Sequence, residues 1–252
     1  MRRSLLDRLN RARAEREPVA LVIDLAMGLE TLVFLSAVHG GFGLDQPELD
    51  QARQMLGEGR TGIVETIDET RLLVRPFLPP PRLVVVGAVH ITQSLVRLAA
   101  EVGLEPVVID PRGVFATAER FPGVTLSQEW PDQGLGELKP DARTAVVALS
   151  HDPKLDDSAL VVALRSPAFY IGALGSRRSQ AKRLERLREQ GVGEADLARI
   201  RGPVGLDLGA VTASEIALAI VAEVVASLRG RLPGLGTVSP LCGLGKQGEN
   251  RT

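Results

Sequence analysis

The chain has 252 residues, 44% hydrophobic and only 3% aromatic, enough apolar content for one large domain or two modest ones. Its 30 lysines and arginines balance 31 aspartates and glutamates, so no global field draws it to nucleic acid or anionic lipid, and any anion site must be local. One cysteine, Cys242, excludes an internal disulfide and a multi-thiolate metal cluster, as suits a reducing cytosol.

Residues 1–18 carry arginines but no apolar h-region, so a secretory signal is not expected, and Leu5, Leu6 and Leu9 suit an amphipathic helix. No eighteen apolar residues run uninterrupted, so no membrane contact is expected and a cytoplasmic location is. β-Branched apolar runs at 19–25 and 31–38 flank Met27-Gly28 as a hairpin or short connection. Residues 47–56 have the spacing of a short helix closed by Gly57, and 62–67 and 71–77 read as two further strands. This is a small α+β unit. Pro76, Pro79, Pro80 and Pro81 resist both ladder and helix, which puts a domain boundary near residue 80.

Beyond it, strand-length apolar runs at 83–86, 106–109, 145–149 and 169–173 alternate with helical patterns at 92–102, 156–164 and 177–190. Such alternation predicts parallel strands joined by right-handed crossovers, buried on both faces: an α/β, Rossmann-like domain over 81–230. Thr212-Ala213-Ser214-Glu215 reads as a capping box opening a helix with Ile216, Ile220, Val224 and Leu228 on one face. Residues 231–252, rich in glycine and aperiodic, are expected to be a poorly ordered tail in which Cys242 is an exposed thiol without a role.

Ligands of an open parallel sheet bind beyond the carboxyl ends of its strands. That rule gathers Gly87-Ala88-Val89-His90, Asp110-Pro111-Arg112, Ser150-His151-Asp152 and residues 172–178 at one crevice. Gly87 and Asp110 have a spacing like that of a dinucleotide fingerprint, but Val89 stands where a second glycine would admit a pyrophosphate. The stretch around Gly175-Ser176-Arg177-Arg178 follows a strand and opens a helix, so free amides, a hydroxyl and two guanidinium groups coincide as a phosphate site; ordinary capping by Ser176 with solvated arginines is the competing reading. His90 and His151 stand at strand ends, and no close-spaced pair suggests a metal. The segment holding Gly205 and Asp207 is either a structural loop or a lid. No nucleophile elbow, Cys/His pair or Walker loop occurs, so no catalytic residue is assigned.

Taken together, Gly87-Ala88-Val89-His90, Val108-Ile109-Asp110-Pro111-Arg112, Phe115 through Pro122, Ser150-His151-Asp152 with Asp156-Asp157, Tyr170 through Arg178, and Gly205 through Gly209 before Glu215-Ile216-Ala217 resemble the XdhC/CoxI family of accessory proteins for molybdenum hydroxylases. The resemblance implies a molybdenum cofactor chaperone that shields the pterin, presents it to a cysteine desulfurase for sulfuration, inserts it into an apo-hydroxylase and self-associates. It implies cofactor contacts at Gly87, His90, Asp110, Arg112, His151, Asp152, Gly175, Ser176, Arg177, Arg178, Gly205 and Asp207. The phosphate would lie at the helix start and the pterin N–H groups at Asp110 or Asp152. Glycine usual at position 89 and a Gly-Gly-Cys-x-Glu segment are missing, with Gly40-Gly41-Phe42 offering no thiol. Two other readings remain open: an NAD(P)- or flavin-dependent oxidoreductase, which Val89 disfavours, and an assembly subunit that never touches cofactor.

Overall fold

The computed structural model describes residues 2–231; the expectations for the tail and for Cys242 lie outside them. The chain forms two compact units that part between Pro79 and Pro80.

In the first unit, α1 (Arg3–Ala14) is followed by β1 (Val19–Asp24), β2 (Glu30–Phe34), β3 (Val38–Gly40), α2 (Gln46–Glu58), β4 (Gly62–Glu65) and β5 (Arg71–Phe77). The strands form an antiparallel sheet in the order β3-β2-β1-β5-β4. Alternation along β1 explains the two layers: Ala20 and Val22 pack with α2 residues Ala52, Met55 and Leu56, while Val19 and Leu21 pack with Leu5, Leu9 and Ala12 of α1. The run expected as one strand over 31–38 is two, because the chain turns at residues 35–37, where the Phe34 amide donates to the Ala37 carbonyl. The second helix also ends later than the glycine pattern suggested. Gly57 is buried within it, and Gly59, at φ 65°, supplies the left-handed cap. A cleft of about 700 Å³ in this unit is lined by Asp24, Asp45, Glu48, Glu65 and Asp68 among others. Local turn chemistry accounts for four of these carboxylates: Asp24 accepts the Ala26 and Met27 amides, Asp45 and Glu48 form a capping box, and Asp68 accepts the Thr66 hydroxyl.

The second unit runs β6 (Arg82–Val86), α3 (His90–Glu101), β7 (Glu105–Ile109), β8 (Thr125–Ser127), α4 (Pro131–Leu138), β9 (Thr144–Ala148), α5 (Pro153–Leu164), β10 (Tyr170–Ala173), α6 (Arg177–Glu189), α7 (Glu194–Leu197), β11 (Ile200–Arg201) and α8 (Ala213–Leu228). All its strand pairs are parallel, in the order β11-β10-β9-β6-β7-β8. Leu83 and Val85 of β6 enter one core with Leu95, Ala99, Ile220 and Val224, while Val84 and Val86 enter another with Leu155, Leu160 and Leu187. Helices on both faces are why the strand reads as an uninterrupted apolar run. Each of these fully buried valines contributes roughly 1.5–3 kcal/mol relative to exposure. β8, β11 and α4 leave little mark in the sequence: the strands are three and two residues long, and α4 carries two glycines.

Candidate functional site

β6 is the first strand of its sheet, with β7 and β8 added on one side and β9, β10 and β11 on the other. Strand order therefore reverses between β6 and β9, and the crevice beyond their carboxyl ends is the topological switch point. The backbones approach closely there. Gly87 has φ 108°, and a Cβ on it would lie 2.8 Å from the Ser150 amide nitrogen. The glycine thus serves the crossing of two loops.

Asp110, at the end of β7, is fully buried. Its Oδ2 accepts from the Ala88 amide at 2.7 Å and Arg112 Nη2 at 2.8 Å, and its Oδ1 accepts from the Arg112 amide and Nε, both at 2.9 Å. Burial alone would raise this carboxyl; the Arg112 and Ala88 hydrogen bonds outweigh that and hold it below the ordinary aspartate range. Both oxygens are committed to the protein, so the acceptor role expected of Asp110 toward a pterin or a ribose has no lone pair left to use. Arg112 is held above its ordinary value first by its bonds to Asp110, against burial, and further by the Asp152 and Asp156 carboxylates. Those two acids belong to the loop and helix after β9, so the halves of the crevice face each other electrostatically.

After β9, His151 takes φ 62°, a left-handed conformation that short polar and imidazole side chains tolerate best. This bend turns successive amides onto Asp156: Ser150 N at 3.1 Å and Ser150 Oγ at 2.6 Å donate to Oδ1, and His151 N at 3.2 Å donates to Oδ2. Burial pushes the Asp156 carboxyl up, opposed by the Ser150 bonds and by Arg183 and His151. Asp152 caps α5 through Oδ1, which accepts the Lys154 amide. The His151 and His90 side chains are exposed.

After β10, Gly175 adopts φ 142° and Ser176 caps α6, accepting the Ser179 amide at 3.1 Å. The capping by Ser176 that stood as the competing reading is thus present. Arg177 and Arg178, in the first turn, are exposed and have no ion pair among the described residues. Cations at a helix start oppose the macrodipole, which makes their placement costly unless an anion joins them. Below them Arg183 is buried and donates Nη2 to the Leu174 carbonyl at 2.8 Å, with Asp156 Oδ2 3.8 Å away. This guanidinium links the first turn of α5 to the loop after β10.

The segment between β11 and α8 is tethered by Glu223, whose Oε2 accepts the Tyr170 hydroxyl at 2.5 Å and the Gly205 amide at 2.6 Å. Gly205 is therefore held to α8, while Asp207 is exposed. The Thr212–Glu215 capping box forms as expected. Sequence reasoning assigns no role to Asp156, Arg183, Tyr170 or Glu223. Glu223 has a signal, as the one charged residue between Glu215 and Arg229 in an apolar helix; Arg183 sits in so charged a helix that nothing distinguishes it. Among the described residues no cluster of three His, Cys, Asp or Glu is placed to hold a metal, and no helix is long and apolar enough to cross a membrane.

A parallel sheet of this order, with polar groups gathered around its switch point, defines a Rossmann-type α/β domain. The XdhC Rossmann domain family matches residues 83–224, more than half of the chain, and the chain belongs to that family. It is 33% identical over 154 residues to the uncharacterized protein YqeB of Escherichia coli, covering 61% of this chain and 28% of YqeB. A probable xanthine dehydrogenase subunit of Bacillus subtilis is 32% identical over 157 residues, covering 62% of this chain and 46% of that one. The molybdenum cofactor insertion chaperone PaoD of Escherichia coli is 33% identical over 153 residues, covering 61% and 42%. The matched region spans less than half the length of each of these relatives. A solved xanthine dehydrogenase structure from Bacillus halodurans shares the fold, with TM-score 0.69 and 23% identity over 91% of this chain and 68% of that one.

Proposed function

We propose that the chain is an accessory chaperone for a molybdenum hydroxylase, and that its switch-point crevice carries the molybdenum cofactor as freight. It would protect the pterin, present it to a cysteine desulfurase for sulfuration and deliver it to the apo-enzyme. The observation that carries this reading is the start of α6, where two exposed arginines without carboxylate partners among the described residues sit against the helix dipole. A phosphate there would satisfy the charges. Asp152 Oδ2, which has no partner among the described residues, replaces Asp110 as acceptor for pterin N–H groups. Exposed His90, His151 and Asp207 would line the remaining rim, while buried Gly87 would act only by letting the two loops cross. The names of PaoD and of the Bacillus subtilis relative support the assignment. A nicotinamide oxidoreductase fits less well, because the acid at the end of β7 is saturated by Arg112 and Ala88.

The test is expression in cells that make the cofactor, followed by oxidation of what co-purifies to its fluorescent pterin. Arg177→Gln with Arg178→Gln should lower cofactor affinity about 10- to 100-fold in protein that still folds. Unchanged affinity would remove the phosphate assignment, and micromolar NAD(P)H binding without pterin would favour the oxidoreductase.

A further inference from the structure

We propose that Phe115, with Arg112 and Arg120 packed on it, is a stacking platform for the planar heteroaromatic ring of the crevice ligand; this rests on the cofactor-carrier reading above. The chain has six phenylalanines, and Phe115 alone among them is exposed, at 43%. It follows β7 directly after the Asp110–Arg112 pair. The Arg112 and Arg120 guanidinium carbons lie 5.0 and 5.9 Å from its ring centroid. Asp110 fixes the plane of Arg112 through its paired bonds, and planar guanidinium faces stack on flat rings as aromatic ones do.

The exposed ring does not sit on a loose loop. The Phe115 amide donates to the Arg112 carbonyl at 2.9 Å, and Arg120 Nη1 donates both to the Phe115 carbonyl at 2.6 Å and to the Ala88 carbonyl at 3.0 Å. Gln128 Nε2 donates to the Ala116 carbonyl, and Ala116 and Phe121 are buried. Arg120 therefore ties the platform to the Gly87–Ala88 turn at the switch point. A phosphate alone has no use for an apolar face, so these groups point to the ring-bearing end of a ligand whose anionic end lies elsewhere in the crevice. The shared chemistry admits a pterin or a purine.

The full chain is titrated with 6-hydroxymethylpterin, which lacks phosphate, with adenosine, and with inorganic phosphate. Phe115→Ala and Phe115→Leu should each weaken pterin binding about tenfold, Phe115→Trp should keep it and add tryptophan quenching beyond that given by Trp130 in wild type, and phosphate affinity should stay constant throughout. Leucine keeps apolar bulk, so an equal loss in both variants isolates stacking, and unchanged melting temperatures establish that the variants fold. Adenosine binding that depends on Phe115 in protein that ignores pterin keeps the platform and overturns the pterin reading. Ring binding indifferent to Phe115→Ala, or no ring binding at all, overturns the platform whatever the Arg177 and Arg178 variants do to phosphate.

Discussion

Asp110→Asn separates an organising carboxylate from a ligand-binding one. Asparagine keeps the shape of the side chain but offers one acceptor oxygen in place of two, and it turns an NH2 group toward the donors of Ala88 or Arg112. At least two of the four hydrogen bonds are lost. Bonds to charged groups are worth about 1.5–3 kcal/mol each, but the Arg112 side chain is 39% exposed and regains water, so about 1 kcal/mol per lost bond is the fitting figure. With a buried donor left facing a donor, the total is about 2–3 kcal/mol. Hydrogen exchange at peptides spanning β6 and β7 is the assay, because a chain of two units need not unfold in one step. The sign with pH follows from a carboxyl whose folded value lies below its unfolded one. Its stabilisation is present above the unfolded value of about 3.9 and is lost as pH falls through the folded value. The gap between wild type and variant should hold constant from about pH 5 to 8 and narrow below about pH 4. A gap under about 0.5 kcal/mol, or one that widens in acid, would refute the assigned role.

Gly87→Ala should destabilise the second unit by more than about 2 kcal/mol, since φ 108° and a Cβ contact of 2.8 Å with Ser150 both oppose it; thermal denaturation is the check. Tyr170 is the only tyrosine of the chain, so absorbance near about 295 nm reports it alone. Burial and then the neighbouring Glu223 carboxylate push its hydroxyl well above the ordinary value of about 10, so tyrosinate should appear only when the fold opens. This group stabilises the fold below its unfolded value, and the penalty for ionising it in place grows as pH rises above that value, so tyrosinate formation and loss of structure should coincide. Glu223→Leu leaves the Tyr170 hydroxyl and the Gly205 amide without their acceptor and should cost about 2–4 kcal/mol, with faster exchange of the Gly205 amide.

The parallel sheet was readable because a strand covered on both faces leaves a continuous apolar mark, as residues 83–86 and 145–149 do, and because helices between such runs force crossovers. Short strands such as β8 and β11 leave no period to detect. The Ser176 and Thr212 caps were readable for a different reason: capping joins residues three apart, so its signature is local.

Sequence by itself determined the fold class of the second unit, its capped helix starts and the set of loops that meet at one rim, since each depends on neighbours along the chain. Only the tertiary structure decided which polar groups of that rim remain free. Asp110 and Arg112 are two residues apart and read as two separate candidates, yet burial beside the Ala88 amide makes them one closed pair, while Arg177 and Arg178 stay open to solvent. Hydrogen-bond saturation is settled by groups distant in sequence, and the linear order of residues carries no record of it.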